Sequence, residues 1–82
     1  MKYEIEFKPR AMKDCKKITK PQLQQIFNGI EEMSDDLKGD VKRLTNFTPE
    51  YRLRVGDYRV LFETDKNKIT IYRIRHRKDV YR

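Results

Sequence analysis

The sequence predicts an α+β fold: an N-terminal strand and two helices packed on a small antiparallel β-sheet, in the order β-α-α-β-β-β-β. Three observations carry that expectation. Residues 2–7 alternate apolar and charged side chains, residues 11–37 place apolar side chains at helical spacing, and the period returns to two from Val41 onward. With 82 residues there is room for one domain, 1–82, and one modest core.

Tyr3, Ile5 and Phe7 alternate with Lys2, Glu4, Glu6 and Lys8, the pattern of a half-buried strand over residues 2–7. Pro9 suits the first turn of a helix, where its missing N–H is not needed, and Ala11, Cys15 and Ile18 then share a face. Thr19-Lys20-Pro21-Gln22 resembles a capping box and opens the strongest helical stripe, Leu23, Ile26, Phe27, Ile30, Met33 and Leu37, which Gly39 is expected to end. Met12, Cys15 and Met33 read as packing residues. Further on, Tyr51, Leu53 and Val55 face one way and Arg52 and Arg54 the other, before Gly56-Asp57 turns the chain tightly into Tyr58, Val60 and Phe62. Asp65-Lys66-Asn67 marks a second turn into a last strand from Lys68 to about Arg75, and Lys78 to Arg82 could add a helical turn or a tail.

Only 37% of residues are hydrophobic and 40% are charged, so the core is thin and the surface sets the character of the protein. One cysteine excludes an intrachain disulfide and fits a reducing cytoplasm. The alternating N-terminus lacks the apolar run of a signal peptide or membrane span. Net charge is +7, divided as +2 over residues 1–49 and +5 over residues 50–82. The first part has 8 Lys and 2 Arg, the second 3 Lys and 7 Arg. Because a guanidinium grips phosphate with a planar fork, the second part is the one expected to meet a polyanion.

With Gly56 and Asp57 as the loop, Val55 pairs with Tyr58, Arg54 with Arg59 and Leu53 with Val60. Like charges directly opposite destabilise a sheet, an arrangement that makes sense if a bound anion offsets the repulsion. A three-residue loop at Asp65 to Asn67 would pair Val60 with Tyr72 and Arg59 with Arg73. That register puts Tyr58, Val60, Phe62, Tyr72 and Ile74 toward the helices, and Arg52, Arg54, Arg59, Arg73 and Arg75 on the other face, with Arg77 following. It leaves Ile69 and Ile71 on the basic face without a cover. Such a face, with Tyr72 or Tyr81 nearby, suits single-stranded RNA, whose phosphates arginine grips and whose bases stack on aromatic rings.

His76 is the one histidine, which excludes a two-histidine ribonuclease mechanism, and no cluster of Asp and Glu accompanies the arginines to hold magnesium. No metal or other cofactor is expected. What remains is arginine plus tyrosine. Tyr81, flanked by Arg77, Lys78 and Arg82, is the candidate base, because adjacent cations favour the phenolate. Residue types alone leave RNA cleavage and simple RNA binding both open.

The stretch Tyr51-Arg-Leu-Arg-Val-Gly-Asp-Tyr-Arg-Val-Leu-Phe62 followed by Ile74-Arg-His-Arg-Lys-Asp-Val-Tyr81-Arg82 resembles the RelE side of the RelE/ParE toxin superfamily, as do the opening strand and helices. The resemblance implies a type II toxin that cuts mRNA in the ribosomal (30S) A site without a metal, and is neutralised by a cognate acidic, RelB-like antitoxin. Contact with DNA would come only through that antitoxin, none with membrane is implied, and the site of action would be the cytoplasm. Carried over by motif, the catalytic residues are Arg52, Arg54, Arg59, Arg75, Arg77 and Tyr81, with His76 as a weaker candidate and Arg73, Lys78 and Arg82 as further RNA contacts. Some relatives have lysine where this chain has Arg52 and Arg54. Arginine holds its proton too tightly to act readily as a base, which assigns both to phosphate and transition-state binding. The alternatives are a ParE-type gyrase inhibitor and a nonenzymatic RNA-binding homologue.

Overall fold

In the computed structural model, which describes residues 2–44 and 49–80, the elements run β1 (Glu4–Phe7), α1 (Pro9–Cys15), α2 (Lys20–Met33), β2 (Asp40–Arg43), β3 (Tyr51–Val55), β4 (Tyr58–Asp65), β5 (Lys68–His76) and α3 (Arg77–Val80). The five strands form one sheet in the order β1-β5-β4-β3-β2. Four of them are antiparallel neighbours, as expected. β1 differs, joining the edge of β5 in parallel, with Glu4 opposite Lys68 and Phe7 opposite Ile71. No helix among the described residues is long and apolar enough to cross a membrane.

The core lies between the two main helices and one face of the sheet. Ala11, Ile26, Ile30 and Met33 meet Leu53, Val60, Phe62, Ile69, Ile71 and Ile74, all buried. The period-two and helical stripes of the sequence converge there because each element has one apolar side to remove from water. Gly29, in the middle of α2, lets the helix lie close on β3: a Cβ built there would stand 2.8 Å from Val55 Cγ2. Met12, expected as packing, is 60% exposed and lies outside the core.

α2 ends at Met33 and not at Gly39. Buried Ser34 follows, its hydroxyl donating to the Glu31 carbonyl (2.5 Å), while its own carbonyl accepts the Tyr3 N–H (2.7 Å) and so ties the start of the first strand to the helix end. The chain then turns through Asp36 and Leu37, both at positive φ, and the Leu37 side chain rejoins the edge of the core from outside the helix. At the other end, Thr19 holds the N-cap position without capping the backbone; its hydroxyl meets the Gln22 side chain at 3.2 Å.

The β3–β4 hairpin has the expected register, Val55 with Tyr58, Arg54 with Arg59 and Leu53 with Val60. Gly56 supplies the φ of +58° that the first loop position requires, without a Cβ to strain it. The β4–β5 hairpin differs from the expected one. Its loop has two residues, so Asp65 pairs with Lys68, Thr64 with Ile69 and Phe62 with Ile71, and a bulge at Tyr72 then shifts the register to Leu61 with Arg73, Val60 with Ile74, Arg59 with Arg75 and Tyr58 with His76. One extra residue reverses which side the following residues face. Ile69 and Ile71 therefore enter the core before the bulge, Ile74 enters it afterwards, and no arginine is driven between them. Tyr72 is displaced from the core face. Its hydroxyl meets Glu63 at 3.4 Å and Lys8 Nζ stands 5.5 Å from its ring centroid.

Candidate nucleic-acid interface

Strand alternation puts Arg59 on the face away from the helices, since its neighbours Tyr58 and Val60 face them. The register then fixes a row across three strands, Arg54 on β3, Arg59 on β4 and Arg75 on β5. Directly opposite residues in such a ladder hold their Cβ atoms about 4.5–5.5 Å apart, so three guanidinium stems start side by side. The next row runs Lys42, Arg52, Leu61 and Arg73. All five arginines expected on this face are there, but Arg59 has Arg75 as its neighbour in place of Arg73.

The five are not equivalent. Arg52 is 15% exposed in its side chain and is held by Asp40, donating from Nη1 to the backbone carbonyl (3.1 Å) and toward the carboxylate (3.3 Å). Arg73 is held by a fork on Asp14, Nε to Oδ2 at 2.9 Å and Nη2 to Oδ1 at 3.2 Å. Arg54 is exposed, Arg75 half-buried, and neither makes a hydrogen bond or ion pair to another described residue. Arg59 is 6% exposed; Nη1 reaches the Tyr58 carbonyl at 3.3 Å, and Nε is buried with no hydrogen-bond partner among the described residues. A cation set between two further cations, with one of its N–H donors unsatisfied, gathers positive charge whose repulsion a bound anion would offset.

Beyond β5, Arg77 is exposed at the start of α3, against the β3–β4 turn, with its backbone N–H donating to the Asp57 carbonyl (2.8 Å) and Nε 4.0 Å from the Asp57 carboxylate. Lys78 is exposed and its N–H donates to His76 Nδ1 at 3.2 Å. The His76 ring stands edge-on to Tyr58, 5.4 Å between centroids, on the side of the sheet that carries Val60 and Ile74. Tyr81 and Arg82 lie outside the described residues. Tyr72 makes a poor base: burial, the charge of Glu63 and the hydrogen bond to it all push its hydroxyl above the ordinary tyrosine range. Among the described residues no three His, Cys, Asp or Glu side chains come together as a metal-binding group.

Sequence reasoning did not find Asp14. Besides the Arg73 fork it accepts the backbone N–H of Ile74 at 3.0 Å, and its side chain is only 12% exposed. Burial by itself would raise its pKa; the Arg73 hydrogen bond, the Ile74 N–H and the charges of Arg73 and Arg75 outweigh that and hold the carboxyl below the usual carboxylate value. The signal was present in composition: Asp14 is the one acidic residue between Glu6 and Glu31, set among Lys13, Lys16 and Lys17. A cleft of about 340 Å³ opens beside it, lined among others by Lys17, Tyr58, Arg75, His76 and Asp79.

Comparison with known proteins places this architecture. The family described as ParE toxin of type II toxin-antitoxin system, parDE, matches residues 5–81. Toxin RelE3 of Methanocaldococcus jannaschii is 32% identical over 83 residues, covering 95% of this chain and 94% of its own. A chain in a RelB-RelE antitoxin-toxin complex from Methanococcus jannaschii superposes with a TM-score of 0.77 at 31% identity, over 93% of this chain and 94% of that one. The toxin-antitoxin complex RelBE2 from Mycobacterium tuberculosis shares the fold, with a TM-score of 0.80 at 22% identity over 93% and 99% of the two chains. A family match over residues 5–81, a relative above 30% identity across nearly the whole chain and a fold shared at a TM-score of 0.77 together mean that this chain belongs to the RelE/ParE superfamily of type II toxin-antitoxin toxins.

Proposed function

We propose that the protein is an endoribonuclease that cleaves mRNA in the ribosomal A site and is restrained by an acidic, RelB-like antitoxin. The observation that carries this reading is the row Arg54-Arg59-Arg75, three cations side by side on one sheet face, whose combined charge suits the phosphate of a single strand. In the reaction, the ribose 2′-oxygen attacks the adjacent phosphorus while its proton passes to the Tyr81 phenolate. The P–O5′ bond breaks, O5′ takes up a proton from water, and the strand ends as a 2′,3′-cyclic phosphate and a 5′-hydroxyl. Arg54, Arg59 and Arg75 stabilise the extra negative charge on the five-coordinate phosphorus, with Arg52 and Arg77 at the ends of the face. The antitoxin reading draws on the relative crystallised as a RelB-RelE complex.

The test is ribosome-bound mRNA incubated with the protein, with both new ends mapped. Expected are internal cuts that persist in a chelator mild enough to leave ribosomes intact, and 5′-hydroxyl ends. A 5′-phosphate would overturn the 2′-OH mechanism, since it requires an activated water. Tyr81→Phe should slow the single-turnover cut by about 10² to 10⁴, the usual worth of one proton-transfer group, with RNA affinity retained. The family match named for ParE favours a second reading, inhibition of gyrase. A protein that leaves mRNA intact and stops DNA supercoiling would establish that reading in place of the first.

A further inference from the structure

β1 pairs with β5 only as far as Ile71, where Lys8 N–H donates to the Ile71 carbonyl at 2.8 Å. β5 continues to His76 with β4 on one side and, among the described residues, no strand on the other. At that bare edge stands Asp14 of α1, and one carboxylate does two things there. It accepts the Ile74 N–H, as a strand would, and it binds the guanidinium of Arg73 in a fork. Arg73 is opposite Leu61, on the arginine-bearing face, so its charge would otherwise stand among those of Arg52, Arg59 and Arg75.

We propose that Asp14 is a positioning residue for RNA binding: it withholds Arg73 from the phosphate-binding face and anchors β5 at Ile74, so that Arg75 is the arginine presented beside Arg59. This rests on the reading of that face as the RNA-binding surface. The number of phosphates the face grips is set by this pairing. Arg54 and Arg75 make no hydrogen bond or ion pair to another described residue and Arg59 bonds the Tyr58 carbonyl, while Arg73 already has two carboxylate oxygens at hydrogen-bond distance. Asp14→Asn separates the two roles, because the amide oxygen can still accept the Ile74 N–H but the charge that holds Arg73 is gone.

The probe is a single-stranded, 2′-O-methylated oligonucleotide, which cannot be cut, bound by the full chain over a range of salt. Asp14→Asn should bind more tightly, and log K against log salt should steepen by about 0.7, the value of one added phosphate contact on a single strand. In Asp14→Asn/Arg73→Gln the slope should return to that of the parent. Asp14→Ala, which also frees the Ile74 N–H, should cut bound mRNA about tenfold more slowly at saturation while binding it more tightly, a combination that simple loss of fold does not produce. Hydrogen exchange at the Ile74 amide should accelerate in Asp14→Ala and much less in Asp14→Asn. If Asp14→Asn leaves the slope of the parent unchanged, the withholding role is wrong. Arg59→Met distinguishes the two levels: if it does not flatten the slope, the RNA-binding reading of the face falls, and this inference with it.

Discussion

The two halves of β5 divide the labour of the molecule at the bulge. Before it, residues 68–71 lie between β1 and β4, with Ile69 and Ile71 fully buried. After it, residues 73–76 have, among the described residues, a strand on one side only, and carry Arg73, Arg75 and His76. The first half is held by burial and two ladders, the second by one ladder, one carboxylate and Ile74. A single strand thus gives the sheet its most secure segment and the site its most adjustable one. The bulge also lets the side that faces the helices change parity without a break in the chain.

Substitutions on either side of the bulge test that division. The largest effect on stability is expected at Ile71→Ala, which empties a fully buried position between two ladders and should cost about 3 kcal/mol in chemical unfolding. A cost below about 1 kcal/mol would mean that the first half is less tightly packed than its burial implies. Next comes Asp14→Asn, expected to cost about 2 kcal/mol at neutral pH through the charged hydrogen bonds to Arg73. Since the folded protein holds Asp14 below its ordinary value, that stability is fully present above the unfolded pKa and is lost as pH falls through the folded one. The gap between parent and variant should therefore begin to close below about pH 4, and the test is unfolding of both proteins from pH 7 to pH 2. A gap that does not change with pH would place the effect in packing, not charge. The smallest effect should have the opposite sign. Arg59→Met removes an unsatisfied buried donor and a charge between two others, and should stabilise the isolated protein by about 1 kcal/mol while RNA binding falls. A loss of stability there would show that the buried guanidinium is better satisfied than its contacts indicate.

The order of elements was legible because most of them repeat their period for long enough to show it. The stripe from Leu23 to Met33 and the alternation from Tyr51 to Phe62 are long, and a Gly-Asp turn fixed the register that sets Arg54 against Arg59. The second hairpin was not read correctly, although it left a trace: Ile69, Ile71 and Ile74 are spaced by two and then by three, and only an inserted residue can turn all three toward one side. The end of α2 was missed because the terminating contacts come from Ser34 and from Tyr3, far away in the chain. On the site, alternation and the Gly-Asp turn placed Arg52, Arg54 and Arg59 on one face; Arg73 and Arg75 were assigned to it through a three-residue loop that the structure lacks, and it is the bulge that puts them there. Which of these arginines are already engaged was not legible, since the Arg73–Asp14 pair joins positions 59 residues apart.

The parallel pairing of β1 with β5 has a consequence for how the molecule comes into being. Its first strand meets its partner only when Ile69 and Ile71, near the other end of the chain, are available. During synthesis the helices and the β3–β4 hairpin can collect early, but the sheet stays open at its β5 position until β5 itself has left the ribosome. Arg75 takes its place beside Arg59 at that last step. A nascent chain that has not yet extruded β5 therefore carries only part of the arginine row.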